Sequence, residues 1–535
     1  MPTPTKSRRR PTKKAAGRLA AASLWRAGLS GFSGPQIAVL FVALTLLISI
    51  PIWTHPVPPL SDYVNHLSRM HAIAVLARNP QLAAFYEVNW QVIPNLTMDL
   101  IVPVLAQGMS VYLAGQIFMV GMFALIISGA LALNRVLIGR WTVLPLFAIP
   151  LLYNYVFLIG LMNYLFGVGV SLWALAGWIA LRDRIWPYRF ALSVVSVLVL
   201  FFCHLSALGI YGIGVLSYEA LVLWQQRRQP WPKRIAIFVS GGLPFLAALP
   251  LLYFSPTLNL ASAIYWDQRG KIDGLFYVIS VYSDLTTFAL AASAAVAAVW
   301  AVRHRLLRFH PLAVLLLAIG TAIYLALPRV MFETYMADQR VPIGVAFMLI
   351  ACGALELRRR LVRRTFVLVL ILLIGVRLIE IDFNWTELSD TTSQFRSSVR
   401  RIQPGSKVFV AYADRATGDD VRDLGLVHAA CLALIERSAL VTTVFTVVGK
   451  QVMQVKPDYA DMVDTHDGTP PSVSQLLIAA DRGLADGPAY WNNWTKFDYL
   501  YVLFTDEDAP NPDPQRLRMI VEGDRFQLYR ILRPH

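Results

Sequence analysis

Apolar residues run in long unbroken stretches through most of this chain, separated by short polar connections. A bilayer core takes about 20 apolar residues per helix. Eleven stretches come near that length: 34–53, 111–133, 141–157, 161–181, 190–203, 205–224, 235–254, 277–302, 311–327, 341–357 and 365–381. The connections alternate in charge. Those at Arg135 and Arg140, Arg182 and Arg184, Arg227 to Arg234, Arg303 to Arg308 and Arg358 to Arg364 are basic, and the intervening ones carry almost no positive charge. Basic loops stay cytoplasmic, so the alternation predicts a cytoplasmic N-terminus and a C-terminus on the outer face. The expected fold is mainly α: a polytopic protein of about eleven transmembrane helices in the bacterial inner membrane.

Three regions follow. Residues 1–33 read as a basic cytoplasmic tail, with a short interfacial helix around Ala15 to Leu29. Residues 34–381 read as the membrane body, and 382–535 as a small periplasmic α/β domain. In that last region Lys407 to Tyr412, Phe497 to Phe504 and Arg525 to Leu532 have the apolar runs of strands, and Gly425 to Ser438 reads as a helix. The first outer loop, 54–110, is too long for a turn. Its stretches from Ser61 to Ala77 and from Asn95 to Met109 predict two helices lying on the outer membrane surface, the second of which could instead be a short span.

Composition supports a membrane protein: 56% of residues are hydrophobic and 15% charged, against about 25% charged in soluble domains. The net charge of +15 is a topology signal more than a nucleic-acid signal. Lys6, Arg8, Arg9, Arg10, Lys13, Lys14, Arg18 and Arg26 crowd ahead of the first apolar stretch, where they suit anionic lipid headgroups. That stretch is long for a signal-peptide core and lacks a small-residue cleavage site, so it reads as a retained anchor. Cys203, Cys352 and Cys431 form neither a disulfide framework nor a metal spacing.

Chemistry concentrates on the predicted outer side. Asp62 and His66 are four apart and share one helix face, with Arg69 and His71 following. Ser61 can cap that helix and hold the carboxylate near its positive end. Asp62 is therefore placed to take a proton from an acceptor hydroxyl. The plainer alternative is that Asp62 merely starts a surface helix whose outer face His66 and His71 wet. Asn95 and Asp99 open the second loop helix, His204 sits at an outer turn, and Arg329, Glu333, Asp338 and Arg340 crowd the last outer turn. Ionisable groups at membrane depth usually serve a site or a relay. For His204 a structural role in the turn is the competing reading. An outward arginine at the lipid edge suits a phosphate tethered to lipid. Nucleotide sugars and ATP are made in the cytoplasm, so an outward-facing transferase needs a donor already carried across, and a polyprenyl-phosphate sugar meets that need.

This arrangement resembles the C-type glycosyltransferase superfamily, integral membrane enzymes that use lipid-phosphate-linked sugars. The likeness rests on the cytoplasmic N-terminus, the long first outer loop with an acid soon after the first span, and the outer C-terminal domain; it covers most of the chain. The stretch from Pro58 to His71 also resembles one in bacterial membrane proteins grouped near that superfamily. The resemblance implies that Asp62 is the catalytic base and that Arg340 or Arg329 binds donor phosphate. His66, His71, Asn95, Asp99, His204, Glu333 and Asp338 complete the expected substrate site. Many members carry paired acids in the first loop, whereas Asp62 is followed by Tyr63. Trp491 and Trp494 do not reproduce the tryptophan-rich acceptor motif of oligosaccharyltransferase-type members. No cofactor is expected. A divalent cation is the one candidate, held by hard oxygens of Asp62 with Asp338 or Glu333.

The reading is thus an inverting glycosyltransferase facing the periplasm, with a polyprenyl-phosphate-sugar donor, a glycan or lipid acceptor, the bilayer as partner, and no nucleic acid. The acceptor classes are a lipid-linked glycan, lipopolysaccharide or a polysaccharide. A transporter or flippase, or a non-catalytic subunit of a polysaccharide export system, is the rival. Transporters tend to carry internal repeats and charges at the bilayer midplane, and neither pattern is evident here.

Overall fold

The computed structural model describes residues 31–260, 264–332, 334–414, 420–465, 469–484 and 487–533. The predicted tail and its interfacial helix lie almost wholly outside the described residues. Among the described residues six helices are long and apolar enough to cross a membrane: Val111–Ile138, Met162–Ala180, Trp186–Cys203, Leu205–Gln225, Trp231–Tyr253 and Asp284–Arg303. Shorter apolar helices, Gly34–Ile48, Leu312–Ala326 and Val341–Ala351, stand with them. The chain is a multi-pass membrane protein.

The body is built around one close pair, Val111–Ile138 against Met162–Ala180. Gly129 and Gly169 make that approach. A Cβ at Gly129 would lie 2.8 Å from Leu172 Cβ, and one at Gly169 would lie 2.8 Å from Leu125 Cγ. Lipid gives helices no hydrophobic reason to associate, so small residues that bring backbones together supply the packing.

Several expected spans take another form. The stretch 141–157 is not a regular span. Pro145 and Pro150 hold it as a 3-10 helix, Leu144–Leu151, followed by the short helix Tyr155–Ile159. Proline removes a backbone donor and blocks the α-helical turn, and such backbone survives at membrane depth only when protein covers it. Leu146, Ile149 and Tyr153 are indeed fully buried. The stretch 235–254 is broken by a 3-10 turn, Leu243–Ala247. Cys352 ends the helix from Val341, and Gly353–Leu355 then pairs antiparallel with Leu307–Phe309.

The boundary expected after residue 381 falls inside a single helix, Arg360–Val399, which carries the chain from the apolar body into the C-terminal region. There a five-stranded sheet forms in the order Leu440–Val441, Lys407–Tyr412, Tyr499–Leu503, Phe526–Ile531, Leu517–Gly523. Its first two pairings are parallel and its last two antiparallel. The expected helix from Gly425 to Ser438 is three short pieces: Leu424–Val427, a 3-10 turn Ala429–Cys431, and Leu432–Arg437.

The first-loop helix, Tyr63–Val75, forms near its expected position but is not a surface helix. Leu60, Tyr63, Leu67 and Met70 pack into the membrane-body core, whereas Val64 and Ala72 pack into the core beneath the C-terminal sheet. The loop also adds a strand to the tail: Tyr86–Val88 pairs antiparallel with Met453–Val455. The second loop helix, Thr97–Leu105, is tied to the first by a buried ion pair. Arg69 Nε and Nη2 donate to the two oxygens of Asp99 at 2.8 and 3.1 Å. Both side chains are 1% exposed.

Removing one partner of a buried pair leaves an uncompensated charge, at a cost of about 3–5 kcal/mol. Asp99→Asn is therefore expected to lower the thermal denaturation midpoint sharply in detergent. An unchanged midpoint would show that the pair does not brace the loop.

Candidate functional site

A cavity of about 1230 Å³ opens where the first loop, the ends of several body helices and the C-terminal segment meet. Asp62, His66, Asn95, His204 and Arg340 all line it. They come from four separate parts of the chain.

Asp62 is set by backbone. Its N–H donates to Ile159 O at 2.9 Å, and the Ser61 N–H donates to Leu158 O at 3.0 Å. Gly160 makes this contact, at φ +94°. A Cβ there would lie 3.0 Å from Asp62 N and 3.1 Å from Asp62 Cβ, so a side chain would push the acid out of place. The expected cap from Ser61 is not made. Asp62 itself occupies the position before the helix and makes no side-chain cap bond, so its carboxylate stays at the positive end of the helix without being consumed by it. The Ser61 hydroxyl reaches only to 3.5 Å from Asp62 Oδ1.

His66 follows one turn later, 7% exposed, with Nδ1 buried and without a partner. Burial, and then the positive charge of Arg69, push its imidazole down to about 4, with Asp62 and Asp99 pulling weakly the other way. Asn95 adopts φ +71°. Asn163 Nδ2 donates to its carbonyl and to its Oδ1, at 2.7 and 2.9 Å, which anchors the second loop helix on the body.

Five arginines are buried among the described residues: Arg69, Arg189, Arg329, Arg340 and Arg377. Four have a carboxylate oxygen within 3.0 Å, on Asp99, Glu219, Asp338 and Glu380. Arg340 has none among the described residues. Its Nη2 donates to Tyr335 O at 2.9 Å, its Nη1 lies 2.5 Å from His204 Nε2, and its Nε has no partner. The Asp62 carboxylate is near enough for its charge to be felt at Arg340.

His204 sharpens the point. It caps the helix Leu205–Gln225, with Nδ1 accepting from the Ser206 N–H at 3.0 Å. A neutral imidazole has one acceptor nitrogen and one N–H. With Nδ1 accepting, Nε2 carries the proton, and that proton faces the Arg340 N–H. Two donors then meet at the cavity wall, and an anion beside them would accept from both once they part. The structural role of His204 in its turn is real, and the same ring faces the cavity.

The other expected residues lie elsewhere. His71 is half-buried and does not line the cavity. Asp99 is held by Arg69. Arg329 Nε donates to Asp338 Oδ1 at 3.0 Å, and Lys271 Nζ donates to Asp338 Oδ2 at 2.9 Å. Asp267 lies against Arg329 at 3.4 Å. That outer turn is a paired cluster in which Asp338 is already bound by two cations, so it is not available to share a metal ion with Asp62. Glu333 lies outside the described residues. No group of three or more His, Cys, Asp or Glu placed to hold a metal is found among the described residues.

Sequence reading missed His428. Its Nε2 lies 3.5 Å from Asp62 Oδ1. Burial opposes a charge on this imidazole, but its contacts with Asp62 and with the Cys431 sulfur raise it above the ordinary value. Nothing in the segment around Leu426 marks it out, because the contact joins distant parts of the chain.

No protein family and no curated protein matches the sequence. In fold the chain is similar to crystal structures of ArnT from Cupriavidus metallidurans. The apo structure gives a TM-score of 0.49 and the structure bound to undecaprenyl phosphate gives 0.47, each at 11% identity over 92% of this chain and 97% of that one.

His66 supplies a pH test. Its folded value lies below the unfolded one of about 6.5, so its contribution to stability is complete above that pH and is lost as pH falls toward about 4. The denaturation midpoint is expected to drop over that window, and His66→Gln to flatten the drop. A variant with the same acid sensitivity would place its origin in other groups.

Proposed function

We propose that this protein is an integral membrane glycosyltransferase, moving a sugar from a polyprenyl-phosphate-linked donor to a hydroxyl acceptor on the outer side of the membrane. One observation carries the reading: Arg340 is a buried cation with no carboxylate in contact among the described residues, beside the His204 imidazole on the wall of a cavity that also holds Asp62. An anion in the cavity beside these two donors would complete them, and a phosphate suits them as a charge-assisted acceptor.

The shape of the cavity supports a lipid-linked phosphate over a free one. Part of its wall is apolar, with Ile210, Ile213, Leu216 and Ile323. Leu216 is twelve residues along its helix from His204, about 18 Å at 1.5 Å per residue. A ligand polar at one end and apolar along its length matches that gradient. The wall around Asp62 is polar, with Asn163 and Thr443 also lining the cavity.

In the proposed step the acceptor O–H gives its proton to Asp62 as its oxygen attacks the anomeric carbon. The bond from that carbon to the phosphate oxygen breaks, and its electron pair leaves on the polyprenyl phosphate. Arg340 and the His204 N–H meet the charge that develops there, which is where fixed donors act most strongly. Attack from the side opposite the phosphate inverts the anomeric centre. The proton passes from Asp62 to water as the product leaves.

The test combines cells lacking the protein with variants returned to them, and reads surface glycans by mass spectrometry. Asp62→Asn is expected to lose the product, by at least about 100-fold, at unchanged membrane abundance. Arg340→Gln is expected to weaken binding of polyprenyl phosphate to the purified protein, whereas Asp62→Asn leaves that binding intact. Gly160→Ala is expected to cost about 100-fold in product through displacement of Asp62. Product at the normal level from Asp62→Asn would overturn the reading and favour transport.

A further inference from the structure

Asp62 is fixed on one side by the backbone of Leu158 and Ile159, and on the other side it meets the C-terminal segment. There His428 Nε2 stands 3.5 Å from Asp62 Oδ1. The orientation of that ring is determined by Asn65, one helical position before His66. Asn65 Nδ2 lies 3.1 Å from His428 Nδ1, across 363 residues of sequence. The Asn65 amide cannot be turned over. Its Nδ2 also donates to Thr443 O at 2.8 Å, and its Oδ1 accepts from the Phe445 N–H at 2.9 Å.

The consequence for the imidazole is specific. An amide N–H faces Nδ1, so in the neutral ring Nδ1 accepts and the proton is on Nε2, directed at Asp62. In the charged ring Nε2 carries a proton as well. Phe445 packs edge-on against the ring at 4.9 Å and 70°, which holds its plane. The imidazole can therefore engage one carboxylate oxygen and leave the other for an incoming hydroxyl. A partner that donates to a carboxylate and is itself held by a third group is how working side chains are kept within their productive geometry.

We infer that His428 is a positioning residue for Asp62, so that the C-terminal segment completes the transfer site and does more than cover it. The inference rests on the reading of Asp62 as the base. It gives a reason for the way the two parts are joined. Asn65 spans to Thr443 and Phe445, Tyr86–Val88 pairs with Met453–Val455, and the Thr257 hydroxyl donates to Gly449 O at 2.6 Å. Each contact fixes the segment that follows His428 against the loop or the body.

The experiment uses full-length protein in lipid vesicles. Membranes from cells lacking the protein supply donor and acceptor, and product is followed by mass spectrometry as the amount of membrane extract is raised. His428→Leu is expected to lower the rate at saturating extract by about 10- to 100-fold, with no change in the amount giving half that rate. His428→Gln has an amide N–H able to reach the same oxygen, and is expected to keep the rate within a few-fold of wild type. His428→Asn is too short to reach Asp62 and is expected to repeat the loss, which covers a failure of the leucine variant to fold. A full rate in both His428→Leu and His428→Asn overturns the inference, and an inactive Asp62→Asn beside it leaves the base standing. Equal losses in His428→Gln and His428→Leu, or a shift in half-saturation alone, overturn it too, since either would make His428 a wall residue. A full rate in Asp62→Asn overturns the parent reading and this inference with it.

Discussion

A guanidinium removed from water must be met by something, and this molecule meets four of its five buried arginines with carboxylates. Those four pairs act as braces. Arg69–Asp99 ties loop helix to loop helix, Arg189–Glu219 one body helix to another, Arg329–Asp338 closes the turn that Lys271 also holds, and Arg377–Glu380 lies within one helix. The fifth, Arg340, lines the cavity and has no carboxylate in contact among the described residues; it meets a backbone carbonyl, an aromatic ring and an imidazole that already accepts elsewhere. Desolvation makes such an arrangement costly unless a ligand anion completes it. The character of the rest of the site follows from that one unpaired charge.

Around it the structure controls position more than identity. Asp62 is placed by two backbone hydrogen bonds, its own N–H and that of Ser61 donating to the carbonyls that end the short helix Tyr155–Ile159, and Gly160 leaves the room those bonds require. The first-loop helix belongs to two cores at once, so the acid cannot shift without disturbing both the membrane body and the C-terminal sheet. Those carbonyls, of Leu158 and Ile159, are free because the helix stops at Gly160, in the left-handed conformation. A helix continued past Gly160 would have spent them internally.

Much of the candidate site could be read from the chain. Asp62, His66, Asn95, His204 and Arg340 were picked out by residue type on the predicted outer side, and the fold brings these five into one cavity. The same reasoning also picked out Asp99, Arg329 and Asp338, which pair with neighbours instead. Topology reports which residues share a side, and it carries no information about which charge a given charge will face. His428 and Asn65 were passed over for the complementary reason. Neither belongs to a local pattern, and each gains meaning only from the other and from Asp62.

What the sequence determined by itself was the solvent of each segment. Apolar length and the placement of arginine are additive properties of short windows, so the membrane body, the long first loop and the strand-bearing C-terminal region were readable without a partner in view. Tertiary structure decided the pairings. It chose which arginine stays without a carboxylate, turned the expected surface helix into a buried link between two cores, ran one helix through the expected boundary at 381, and set an imidazole beside the first-loop acid. Pairing depends on distances of a few ångströms between residues hundreds of positions apart, and only the packed chain fixes those.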